Sequence, residues 1–138
     1  MKKYWKFIVS SLLLMLLSLP GVNTFASADG GNGGWNSTFR VYSPDNNSGF
    51  LTKNTSSSIY NSTSFVSAST LWFMGWAAVQ QQHGPVDASH GYHYQFYTGT
   101  STYMYNYVVE DYGAGTSTTV YMRSFSNGNA NGQWQPDI

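Results

Sequence analysis

All three histidines of the 138-residue chain fall in one stretch, His83, His90 and His93, with the carboxylate of Asp87 among them. Neutral imidazoles and a carboxylate are ligands for zinc, copper or nickel, so these four residues are the candidate metal site. Spacing weighs against it. On a rigid strand His90 and His93 point to opposite faces, and only a bend at Gly91 would bring their rings together. The plainer reading is a polar loop over residues 80–89, QQQHGPVDAS, with histidines that titrate near neutral pH. The expectation is no resident cofactor, with a divalent transition metal as the alternative.

Other catalytic sets are thinner still. Asp87, a histidine and one of many serines make a hydrolase triad on paper, but no G-x-S-x-G elbow is present. Glycoside hydrolysis needs two facing carboxylates, whereas Glu110 and Asp111 are neighbours and diverge on a strand. There is no cysteine, which removes thiol catalysis and thiolate metal sites. Asp45-x-Asn47-x-Gly49 has the look of a calcium loop, but the glycine is one place early and no glutamate closes it. The glycines of residues 29–34, DGGNGG, follow no strand and do not make a phosphate loop. A non-enzyme is expected.

Tyrosine is the better candidate. Residues 91–98 alternate Tyr92, Tyr94 and Phe96 against His93, Gln95 and Tyr97; residues 102–112 alternate Tyr103, Tyr105, Tyr107 and Val109 against Met104, Asn106, Val108 and Glu110. These runs, joined by the turn at residues 98–101, predict a hairpin with an aromatic ladder. Tyr97, Tyr103, Tyr105 and Tyr107 are the candidate binding residues. If one face packs on the core, Tyr97, Met104 and Asn106 beside His93 and Gln95 remain outside. Tyrosine buries large area at low entropic cost and suits sugar faces or protein partners. The competing reading is that these rings are core in a chain poor in aliphatics.

The chain begins with a targeting pattern. Lys2, Lys3 and Lys6 form a positive region, residues 8–19 an apolar one too short for a ~20-residue membrane span, and Pro20-Gly21 break it. Ala26-Ser27-Ala28 supplies the small residues of a cleavage site. Cleavage is expected after Ala28, with residues 1–28 as signal peptide, 29–34 as a flexible lead-in and 35–138 as one domain. The style of the signal is Gram-positive. The mature chain keeps Arg40, Lys53 and Arg123 against Asp29, Asp45, Asp87, Glu110, Asp111 and Asp137, a net charge of −3. A weakly acidic surface argues against nucleic acid and against adsorption to anionic lipid. No second apolar span and no sorting motif follow, so a secreted, extracellular protein with no transmembrane span in its mature form is expected.

The organising stretch is residues 71–79, LWFMGWAAV, uncharged and carrying Trp72 and Trp76. Gly75 and β-rich surroundings favour a central strand buried on both faces. Residues 35–42 alternate, with Trp35, Ser37, Phe39 and Val41 on one face. Residues 54–69 read as two short edge strands around a turn at 61–63. Residues 116–125 form a further strand, Asn127-Gly128 and Asn131-Gly132 read as turns, and Trp134 anchors a last short strand. The fold expected is all-β, a small antiparallel β-sandwich or barrel of about seven to eight short strands. Unpaired edges would allow a homodimer by strand addition.

The signal, the Gly/Asn lead, the W-x-x-x-F strand from Trp35, Asn54-Thr55-Ser56-Ser57, Trp76-Ala77 and the terminal Gly132-x-Trp134-x-Pro136-Asp137 resemble short secreted all-β proteins of Gram-positive bacteria classed as domains of unknown function. That resemblance supplies no activity. The chain is more loosely similar to the cysteine-free, two-sheet lactococcin-type bacteriocins, being rich in Trp, Tyr, Gly and His but longer and less basic. Together these imply a non-enzymatic protein acting at or near cell envelopes, antibacterial or accessory, with an envelope component, polysaccharide or another protein as partner. The alternative is a carbohydrate- or matrix-binding module using an aromatic sheet face.

Overall fold

The computed structural model describes residues 31–138. The expected signal peptide and its cleavage site at Ala26 and Ala28 lie outside these residues. The described chain is mostly β and forms two antiparallel sheets. One holds β1 (Gly33–Phe39), β10 (Gly128–Gln135), β4 (Ile59–Val66) and β8 (Thr100–Met104), in that order. The other is centred on β5 (Trp72–Gln81) and β9 (Thr116–Arg123), which pair with each other. β2 (Asp45–Asn47) and β3 (Leu51–Lys53) both pair with β9, while β6 (Gly84–Asp87) and β7 (Tyr94–Tyr97) take the two halves of the other edge of β5. The six-stranded sheet is therefore four strands wide.

The residues 71–79 stretch is the central strand β5, and its alternation explains the packing. Phe73 and Ala77 point into the interior, where Phe73 meets the rings of Trp35, Phe39 and Phe96 at 5.2–5.6 Å. Phe39, Ile59, Met104, Val120, Met122, Ala130 and Trp134 complete a core drawn from both sheets. Burying each large ring contributes about 2–3 kcal/mol, which offsets the scarcity of leucine and isoleucine. A second cluster, Val79, Ala88 and Val108, sits under the short helix α1 (Val108–Tyr112).

Several expectations are corrected. There are ten strands among the described residues, and β1 begins at Gly33, inside the supposed lead-in. Residues 54–69 hold one continuous eight-residue strand, β4, between β10 and β8. Its inward Asn61 and Thr63 are buried as a bonded set: the Trp35 indole donates to Asn61 Oδ1 at 3.0 Å and Asn61 Nδ2 donates to Thr63 Oγ1 at 3.2 Å. Asn131-Gly132 is no turn. The register of β10 against β4 shifts there, and a Cβ on Gly132 would strike Ser62 O and lie 2.6 Å from the Trp35 ring. The predicted tyrosine hairpin does not form: β7 pairs with β5 and β8 with β4, so the chain crosses between sheets at Thr98–Gly99. Met104 and Asn106 turn inward, and the tail of the expected second strand becomes α1.

The sheets are also clasped at one end. Lys53 of β3 is fully buried, and its Nζ donates to Pro136 O at 2.5 Å and to Asp137 Oδ1 at 3.2 Å. Asp137 also accepts from the Asn54 and Thr55 amides and the Thr55 hydroxyl. Burial pushes the Asp137 carboxyl up, but the Asn54 amide, the Thr55 donors and the Lys53 charge outweigh it and hold its pKa below the ordinary value. Burial pulls Lys53 down against the opposing pull of Asp137.

Candidate functional site

Residues 80–89 are not one polar loop, although all three histidines lie outside the strands. After β5 the chain turns at Gln82-His83 and returns as β6, pairing Ala78 with Asp87. His90 and Gly91 then take positive φ of 52° and 87°, so the bend at Gly91 is real. It sends the two rings to different partners. His93 Nε2 lies 2.7 Å from Asp87 Oδ2 and its ring stacks on Trp76 at 4.2 Å. His90 Nε2 lies 2.6 Å from Asp111 Oδ2 and its ring stacks on Tyr107 at 3.9 Å. His83 sits exposed in the β5–β6 turn. Of the four candidate ligands only Asp87 and His93 are brought together, and no group of three or more His, Cys, Asp or Glu among the described residues is placed to hold a metal ion.

The same geometry bears on hydrolysis. Asp87 accepts from the Ser89 amide at 2.7 Å, the Ser89 hydroxyl at 2.6 Å and His93. Burial raises its pKa, but the Ser89 and His93 hydrogen bonds prevail and leave it below the ordinary carboxylate value. Ser89 is buried and gives its proton to the carboxylate, where a triad serine gives it to the imidazole. This set anchors a bend.

The four candidate tyrosines are dispersed. Tyr97 is on the outer face of the six-stranded sheet, paired with Trp72 across β5–β7. Tyr103 is on the outer face of the other sheet, against Tyr60 at 5.2 Å. Tyr105 leans on Tyr92, and Tyr107 carries the His90 ring.

A different constellation forms on the outer face of the six-stranded sheet. In β5 the outward residues are Trp72, Met74 and Trp76; in β9 they are Tyr121 and Arg123, with Phe125 just beyond. Register sets them in rows: Asp45, Arg123, Met74 and Gln95 lie abreast, and Asn47, Tyr121 and Trp76 form the next row. Arg123 binds Asp45 through Nε at 2.5 Å and Nη2 at 3.0 Å, and its guanidinium lies 5.5 Å from the Trp76 ring centroid. The Arg123 hydrogen bond holds Asp45 below the usual carboxylate range. Tyr121 packs on Trp76 at 5.0 Å, and burial, with Asp45 second, pushes its hydroxyl up.

Arg123 stands between two hollows. One, of about 270 Å³, is lined by Thr70, Trp72, Met74, Ser124, Phe125 and Ser126 as well as Arg123. The other, of about 180 Å³, is lined by Trp76, Pro85, Asp87 and Tyr121 together with Arg123. The entry to β5 adjoins the first through Thr70 and Trp72, which flank Leu71. Leu71 is held at φ 64° by the turn its amide closes onto Ser67 O at 2.9 Å, and it is exposed. Left-handed backbone at a leucine is unfavourable, and such strain gathers at functional sites.

Reading residues 71–79 as buried on both faces holds for residues 75–79, Trp76 included, but concealed this surface at Trp72 and Met74. The signal was present as two period-2 runs, Trp72-x-Met74-x-Trp76 and Tyr121-x-Arg123-x-Phe125, opposite the inward Phe73 and Val120–Met122 positions. No family model, curated protein or solved structure matches the chain.

Proposed function

We propose that the chain is a secreted, non-enzymatic β-sandwich protein that works by binding at or near cell envelopes, with the outer face of the six-stranded sheet as its contact surface. One observation carries the reading: Trp72, Met74, Tyr97 and Phe125 stand partly or largely open on one sheet face around the fixed Arg123–Asp45 pair, over two adjoining hollows. Aromatic bodies with polar rims, held on rigid strands, are what recognition surfaces are made of. The Lys2-Lys3-Lys6 start, the apolar run and Ala26-Ser27-Ala28 support secretion. The anchoring roles of Asp87, Ser89, His90 and His93 support binding over catalysis.

The test is sedimentation of purified protein with bacterial cell envelopes. A Trp72→Ser, Phe125→Ser double variant should lose binding, and a Tyr60→Ser, Tyr103→Ser variant on the opposite sheet should retain it. Equal binding by both, with both folded, would place the contact surface elsewhere.

A further inference from the structure

We infer that the hollow between Trp72 and Phe125 is a subsite for one uncharged sugar ring of an oligosaccharide, with Arg123 marking the junction to a second ring. This rests on the outer face being the binding surface and specifies its ligand.

Size comes first. About 270 Å³ lies just under the ~300–1,000 Å³ of pockets for drug-sized molecules, so the hollow suits one ring. The second hollow, sharing Arg123, makes a chain of rings the better fit than a monosaccharide.

Chemistry comes second. Trp72 and Phe125 are 39% and 69% exposed and supply apolar walls; the half-buried Met74 adds a polarizable thioether. Thr70 and Ser124 are buried and the Ser124 and Ser126 hydroxyls bond each other at 2.8 Å, so the polar rim is the half-buried Ser126 hydroxyl and the Arg123 N–H groups. A pyranose presents the complement, an apolar C–H face within a rim of hydroxyls.

Charge comes third. Among the described residues Arg123 is the only charged one lining the first hollow, and it is committed at two nitrogens to Asp45. A guanidinium keeps further N–H donors after a bidentate carboxylate bond, enough for neutral hydroxyl oxygens. A polyanion would need cations not already neutralised. The second hollow adds the Asp87 carboxylate, already bonded to Ser89 and His93, so it brings no unneutralised cation either.

The test is an NMR titration of the protein with neutral cello-, xylo- and chito-oligosaccharides and with anionic oligogalacturonate. At least one neutral series should shift the Trp72 indole N–H. The indoles of Trp35 and Trp134, buried and bonded to Asn61 Oδ1 and Ser48 O, should stay in place and serve as internal references. Trp72→Ala and Phe125→Ala should each weaken binding about tenfold, and Tyr103→Ala should leave it unchanged. No shift with any neutral series, stronger binding of oligogalacturonate, or undiminished binding by Trp72→Ala would each overturn the inference. Envelope sedimentation separates the two readings: if it persists without a neutral-sugar response, the sugar subsite falls and the contact surface stands.

Discussion

The two outer sheet faces are built by the same alternation and carry opposite chemistry. On the four-stranded sheet the outward positions are mostly short and polar, Asn36, Thr38, Asn129, Asn131, Gln133, Ser62 and Ser101, with the Tyr60–Tyr103 ring pair and the exposed Phe65 as the large side chains. On the six-stranded sheet they are Trp72, Met74, Trp76, Tyr97, Tyr121 and Arg123. The first is a solvated wall. The second places large side chains where water would accept small ones, with Trp72 and Tyr97 exposed and Trp76 buried beneath its neighbours. The difference teaches that in a chain so rich in aromatics, the informative rings are those the core does not use.

The comparison breaks most severely if the shared interior fails. Trp134 is fully buried, and its indole donates to Ser48 O across the two sheets. Trp134→Ala should cost about 3–5 kcal/mol in urea unfolding and remove support from both faces at once. A cost under 1 kcal/mol would show that the sheets are independently stable.

Next comes the clasp. Lys53→Ala leaves the Asp137 carboxylate buried without its cation and should cost about 3 kcal/mol or more. Lys53→Met, which keeps the volume, still strands the carboxylate, while Lys53→Met with Asp137→Asn, which removes the charge but keeps an acceptor for the Asn54 and Thr55 donors, should recover part of the loss. A measured double-mutant coupling near zero would refute the pair's role.

Acid separates the regions by exposure. Asp45, Asp87 and Asp137 all have lowered folded pKa values. Each therefore contributes stability that is present above its unfolded value near 4 and lost as pH falls through the folded value. Asp137 is nearly buried, whereas Asp45 and Asp87 are more than a third exposed and screened by solvent. Asp137→Asn should flatten the acid limb of the stability curve most, with Asp45→Asn and Asp87→Asn changing it little. The reverse order would relocate the acid sensitivity to the aromatic face.

A smaller effect sharpens the comparison with the opposite sign. Leu71→Gly relieves the left-handed backbone at the entry to β5 and should raise stability by up to ~1 kcal/mol. Destabilisation by calorimetry would mean that the exposed leucine side chain packs on the sheet.

The all-β class and the central strand were legible because Phe73, Ala77 and Val79 against Trp72 and Met74 give both a period of two and an uncharged run. What escaped had physical causes. Strand β4 was hidden because Asn61 and Thr63 fill core positions by bonding one another and Trp35, which no polarity pattern reveals. Gly132 imitated a turn because turn formation and close ring approach both require the missing Cβ. The tyrosine hairpin failed because Tyr97 and Tyr103 satisfy the same alternation in separate sheets, and pairing partners are not local information. The aromatic outer face was half visible: its residues stood in plain period-2 runs, but which face looks outward depends on what the opposite sheet covers.

The pairing of β1 with β10 joins Gly33 to Trp134, and the Lys53 clasp waits for Asp137. Neither the four-stranded sheet nor the clasp can close until the segment from Gly128 to Asp137 is available. Contacts so distant in sequence make folding slow, since loop closure precedes the reward. A chain released vectorially, N-terminus first, would thus stay pliable during its passage and lock only at the end, a timing set by topology alone.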